Sequence, residues 1–209
     1  MLTGVLIAAN VAAFLIELSM DGALDGFVRR WGLVPADVLE SVHGNDGPAA
    51  LVTLLTSALL HAGWLHLLSN LVYLAVFGPP VERRVGAARY GLLYVVSGLV
   101  GSLAYLLAQP GSEVPAVGAS GAIAGVIAAH LVLFPGATLG SLAPVLFLHV
   151  VESTPTLLLL LLWLATQLLS SVASLTTSTG IAWWAHIGGF VTGLAIAPLI
   201  RVRPHQLRG

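Results

Sequence analysis

An all-α polytopic membrane protein with six transmembrane helices is the fold this 209-residue sequence predicts, and three observations predict it. The first is composition. Hydrophobic residues make up 57% of the chain and charged residues 8%, with a mean hydropathy of +0.97. A soluble domain carries about 25% charged residues, so this chain has too few to cover a water-facing surface. The second is a series of long, unbroken apolar runs, which excludes a closed barrel of alternating strands. The third is the arginines: threaded through six crossings, six of the eight fall on one side.

The runs lie at residues 2–19, 63–78, 88–108, 116–134, 155–175 and 182–200. A crossing takes roughly 20 residues as helix, so six take on the order of 120 and leave room for loops. The first run lacks the positive leading segment of a cleavable signal peptide and reads as a retained helix. Residues 20–50 mix Gly, Pro, Trp31 and alternating apolar residues, and read as a long, partly inserted first external loop. The second run is the least apolar, holding His66, Ser69 and Asn70, and Gly78-Pro79-Pro80 reads as its end. Arg83, Arg84 and Arg89 precede the third run, and Arg201, Arg203 and Arg208 follow the sixth. The positive-inside rule makes that side, and both termini, cytoplasmic, with the plasma (inner) membrane as the expected location. Asp21, Asp25, Asp37, Glu40, Asp46 and Glu113 fall on the opposite side, joined there by Arg29 and Arg30. Residues 137–152, with Pro144 and Glu152, read as a re-entrant or interfacial piece. The whole chain, 1–209, reads as one membrane domain.

Several functions are excluded. There is no cysteine and no lysine, and the formal net charge is −1. Thiolate chemistry, disulfides and a basic nucleic-acid surface are therefore absent. An intramembrane zinc protease needs His-Glu-x-x-His, an aspartyl protease two membrane aspartates, and a glutamate-dependent endopeptidase a glutamate pair; none is present. No metal or cofactor is implied, and no oligomeric state is assigned. The bilayer is the one partner that composition demands.

Polar groups inside hydrocarbon are costly, which makes each a functional candidate. His61, His66 and Asn70 sit at the outer start of the second helix, Ser120 at that of the fourth and His186 at that of the sixth. Three segments thus bring polar residues to one depth. Gly121 and Gly125 on the fourth helix, and Gly189 and Gly193 on the sixth, form small-xxx-small faces that permit close approach. Their contact would bring His186 to Ser120 as the base that activates a serine nucleophile. His66 and Asn70, four apart, share a helix face. Either can donate to an oxyanion, as can the Ser120 backbone N–H at a helix N-terminus. The aspartates all lie between residues 21 and 46, so a Ser–His dyad is the reading. Taken singly, each residue has a plainer explanation as a crossing point or an interhelical hydrogen bond. Trp31, Trp64, Trp183 and Trp184 are most simply interfacial anchors. His43, His130, His149 and His205 have no spacing partner.

These motifs resemble the rhomboid family. His61-Ala62-Gly63-Trp64-Leu65-His66-Leu67-Leu68-Ser69-Asn70 is similar to its H-x4-H-x3-N, Gly118-Ala119-Ser120-Gly121 to its G-x-S-G, and Ala185-His186-Ile187-Gly188-Gly189 to its A-H-x-x-G. Val81-Glu82-Arg83-Arg84-Val85-Gly86 resembles its V-E-x-x-x-G. The resemblance covers essentially the whole chain in order. It implies an intramembrane serine endopeptidase that cleaves single-span transmembrane substrates in an outward-opening cavity. It also implies a fifth helix, where Trp163 and Gln167 share a face, acting with the first loop as a lateral gate. Gly118, Gly121, Gly125, Gly189, Gly193, His61 and Glu82 are expected to be structural parts of these motifs. The alternative is a rhomboid-fold pseudoprotease that binds clients. One departure is Ala124, where many members carry an aromatic ring packed on the catalytic histidine. An aromatic restored there is expected to be tolerated.

Overall fold

The computed structural model describes residues 1–20, 22–44, 48–138, 155–175 and 181–200. The stretch expected to be re-entrant lies almost wholly outside these residues. So do Asp21, Asp46, His149 and the tail with Arg201, Arg203, His205 and Arg208.

Each of the six apolar runs carries a helix: α1 Leu2–Leu18, α5 Trp64–Val85, α6 Ala87–Ala108, α7 Ser120–Leu133, α8 Thr156–Ala173 and α9 Trp183–Ile200. Between α1 and α5 lie α2 Leu24–Trp31, α3 Pro35–Val42 and the short α4 Thr53–Thr56. The long first loop is therefore largely helical. Helices α5, α6, α8 and α9 are long and apolar enough to cross a membrane. Helix α1 has 17 residues and α7 only 14. Large apolar side chains such as Leu65, Leu107, Leu169 and Leu199 project outward, exposed. Water would penalise such a surface and lipid would not. The chain is an all-helical, multi-pass membrane protein.

Helix α7 is the centre of the bundle. Its residues from Gly121 to His130 are buried without interruption, as expected of a helix that is apolar all round. It packs closely on α9 through glycines. A Cβ at Gly189 or Gly193 would run into the backbone of Gly121 or Gly125. A Cβ at Gly121 would meet the Ala185 carbonyl oxygen at 3.2 Å. Helix α6 closes the third side, with Gly188 set against Val100, Gly101 and Ala104.

Two sequence expectations about element ends are corrected. Pro79 and Pro80 do not end the second membrane helix, because α5 runs through them to Val85. Proline costs a helix its N–H and crowds the carbonyl four residues back, but neighbouring helices can compensate in a membrane. Here Gly78 packs tightly against Thr3 and Tyr90 and holds the segment against α1 and α6. The fourth helix starts at Ser120 rather than near 116, because its lead-in is held extended. Leu33 and Ala116 exchange backbone hydrogen bonds of 2.9 and 2.8 Å, and the Gly118 N–H donates to the Ser57 carbonyl at 2.8 Å.

Helices α1 and α5 are latched at both ends. The Glu82 carboxylate accepts from the Leu2 N–H at 2.6 Å, the Thr3 N–H at 2.9 Å and the Thr3 hydroxyl at 2.7 Å. It thereby satisfies donors that α1 cannot satisfy itself. At the other end, the buried Glu17 carboxylate accepts from the His61 N–H at 3.1 Å.

Candidate active site

The end of the bundle bearing the first loop holds a cavity of about 630 Å³, lined among others by His66, Asn70, Ser120, Trp163, Gln167 and His186. Four helices contribute to it: α5, α7 and α9 through residues near their starts, and α8 through Trp163 and Gln167 in its middle. Ser120 is the first residue of α7, two positions after Gly118, whose φ is positive. His186 stands in the first turn of α9, and His66 and Asn70 in the first turns of α5.

Ser120 and His186 meet: their Oγ and Nε2 atoms are 2.7 Å apart. The other imidazole nitrogen, Nδ1, lies 2.6 Å from Oε1 of Gln167 on α8. The amide orientation has support of its own, since Gln167 Nε2–H donates to the Thr166 hydroxyl at 3.2 Å. That oxygen can only accept, so Nδ1 carries the proton. In the neutral ring Nε2 is then left as an acceptor for the Ser120 hydroxyl. Trp183 meets the imidazole edge-on at 5.8 Å between ring centroids, and Trp163 lies across it at 6.2 Å.

His66 and Asn70 face Gly118. His66 Nδ1 accepts from the Ala62 N–H at 3.3 Å, which leaves Nε2–H as the donor on the cavity side. Asn70 Nδ2 is buried without a partner among the described residues. Gly118 has φ +123°, and a Cβ there would come within 2.7 Å of His66 Nε2 and 3.6 Å of Asn70 Nδ2. Only glycine fits that backbone, and only glycine leaves the space between the two side chains and the start of α7 open. No side chain caps α7, so the N–H groups of its first turn are left without a side-chain partner.

The remaining sequence-chosen residues lie around this centre. Gly121, Gly125, Gly189 and Gly193 form the α7–α9 crossing beneath it. His61 is buried, its ring 5.3 Å from that of His66 and 6.5 Å from that of Phe14. Both its ring nitrogens lack a partner among the described residues. Burial, and secondarily the His66 charge, pushes His61 down to about 4. Glu82 is at the opposite end of α5, in the latch to α1. The described residues hold no cluster of His, Cys, Asp or Glu suited to a metal ion.

Sequence reasoning missed Gln167. In the sequence it stands out only as sharing a face with Trp163, although a polar side chain in an apolar helix is a signal in its own right. The expectation for Ala124 meets a buried site. Ala124 is fully buried, and the rings that flank His186 are those of Trp163 and Trp183.

Residues 48–203 match the family model of the rhomboid domain. The chain is 34% identical over 170 residues to RHOMBOID-like protein 4 of Arabidopsis thaliana, an alignment covering 81% of this chain and 38% of that protein. It is 42% identical over 78 residues to Rhomboid protease GluP of Bacillus subtilis, covering 37% of this chain and 15% of that protein. It is also 37% identical over 88 residues to Inactive rhomboid protein 1 of Drosophila melanogaster, covering 42% and 6%. The chain thus spans well under half the length of these relatives. With the membrane bundle, the glycine-seamed crossing and the domain match in agreement, this chain belongs to the rhomboid family.

Proposed function

We propose that the chain is an intramembrane serine endopeptidase that cleaves transmembrane segments of single-span membrane proteins, with Ser120 as nucleophile and His186 as general base. The observation that carries this reading is the 2.7 Å contact between Ser120 Oγ and His186 Nε2, at the wall of a cavity in a bundle otherwise built of apolar helices. His186 takes the hydroxyl proton as Ser120 Oγ attacks the scissile carbonyl, and returns it to the leaving amine. The oxyanion forms above Gly118, where His66 Nε2–H, Asn70 Nδ2–H and the Ser120 backbone N–H can converge on it. Water entering the cavity, activated by the same imidazole, then hydrolyses the acyl-enzyme.

The test is cleavage of a model single-span substrate by the purified, detergent-solubilised protein, with fluorophosphonate labelling of Ser120 alongside. Ser120→Ala and His186→Ala should abolish both signals without unfolding the bundle. His66→Ala and Asn70→Ala should each lower kcat by about 10²–10³ with little change in KM, because oxyanion donors act in the transition state. Cleavage that survives Ser120→Ala ends the proposal. Wild-type protein that binds single-span clients but neither cleaves nor labels would be a client-binding pseudoprotease, the reading that the match to an inactive relative keeps in view.

A further inference from the structure

We propose that Gln167 is the third member of a Ser120–His186–Gln167 triad, a positioning residue that holds the base in the tautomer the reaction needs. The inference rests on the serine-protease reading above. The sequence supports only a Ser–His dyad, because the aspartates all lie between residues 21 and 46; the amide beside the base is what the tertiary structure adds.

Three observations carry it. Gln167 is 6% exposed in a leucine-rich membrane helix, where a buried amide is costly unless it is used. Its Oε1 lies 2.6 Å from His186 Nδ1, opposite the nitrogen that faces Ser120. Its own amide nitrogen is engaged by Thr166, whose hydroxyl in turn donates to the Trp163 carbonyl at 2.6 Å. The chain Trp163–Thr166–Gln167–His186–Ser120 therefore runs in one direction, each donor matched to an acceptor. An amide oxygen on the distal ring nitrogen is the arrangement of the Cys-His-Asn proteases. Without it, an imidazole can carry its proton on Nε2 and cannot accept from the serine.

The acceptor rides on α8, the least enclosed of the four long spans. In its most apolar stretch 24% of residues are buried, against 33%, 33% and 39% in α5, α6 and α9. The base is thus oriented from a helix other than its own, across the contact of Trp163 with His186 and Phe190.

The experiment compares wild type with Gln167→Leu, Gln167→Asn and Gln167→Glu in the full chain. It measures kcat and KM on a single-span substrate, and the rate of fluorophosphonate labelling at Ser120 across pH. The Leu variant, which keeps the bulk and removes the acceptor, should lose about 10–100-fold in kcat and in labelling rate while KM stays within about twofold, the pattern of a lost general-base orientation. The Asn variant should also fall, because its carbonyl is one methylene short. The Glu variant should retain the acceptor and so exceed the Leu variant. Its carboxylate beside the imidazolium should move the acidic limb of kcat/KM to higher pH. His66 is the other titratable group acting on His186, and its influence is common to all four proteins. A structural role in seating α8 would change KM or thermal stability and leave the limb where it is. A folded Leu variant with wild-type kcat and labelling, or a Glu variant with an unmoved limb, overturns the proposal. Wild-type protein that fails to label at all overturns the protease reading instead.

Discussion

At position 124 an added ring would enter the core. Ala124 is fully buried in the cluster around α7, and the two tryptophans occupy the flanks of His186. Ala124→Tyr should therefore destabilise the bundle by about 1–3 kcal/mol through overpacking, seen as a lower melting temperature in detergent, and should reduce labelling at Ser120. A Tyr variant as stable and active as wild type would show that the α7 seam can open. His61 poses a different problem, that of a buried imidazole whose nitrogens lack partners among the described residues. The unfolded chain takes up a proton near the ordinary value of 6.5, whereas the folded ring resists until about 4. The folded state thus keeps its full advantage above about 6.5 and loses it progressively as pH falls toward 4. His61→Phe, beside Phe14, should flatten the loss of stability in that window. An unchanged slope would assign the acid sensitivity to another group.

Among the elements, the pairing of α1 with α5 depends most visibly on single side chains. Glu82 accepts three hydrogen bonds from the first residues of α1, and the carboxylate suits the positive end of that helix. Glu82→Gln replaces one acceptor oxygen with a donor that faces other donors. It should cost about 1–3 kcal/mol, the penalty for a buried group left unsatisfied, measurable as earlier unfolding in a denaturing detergent titration. Because α1 stands apart from the α7–α9 seam, the remaining folded fraction should label at Ser120 at the wild-type rate. A large fall in that rate at full folding would mean that α1 shapes the cavity directly.

Over the whole molecule, charge and site geometry make a joint prediction. Arg83, Arg84 and Arg89 surround the α5–α6 junction, at the opposite end of the bundle from Ser120. If the positive-inside rule holds for this chain, the junction is cytoplasmic and the cavity opens outward. The chain has no cysteine, so single cysteines report cleanly. With an impermeant thiol reagent on intact cells, Val42→Cys, exposed in α3, should label, and Ala88→Cys at the junction should be protected until the membrane is broken. The reverse pattern would put the site on the cytoplasmic face and exclude substrates cut near their outer ends.

The sequence alone determined the class of fold, the six helical segments, and Ser120, His186, His66, Asn70 and the glycine faces as candidates. These features are local. A bilayer selects long apolar runs, and polar residues or paired glycines inside such runs stand out against them. Helix ends were less legible. α5 continues through Pro79 and Pro80 because α1 and α6 hold it there, and α7 starts late because Leu33 and Ser57, far away in the chain, hold the residues before Ser120 extended. Only tertiary structure could decide what surrounds His186. Gln167 is 19 residues away on another helix and Trp163 lies one turn before it, whereas Ala124, four residues after the serine, is packed in the core. Spacing along one helix says which residues share a face. Which neighbour that face meets depends on how the helices cross, and that is set by close contacts between glycines on separate segments.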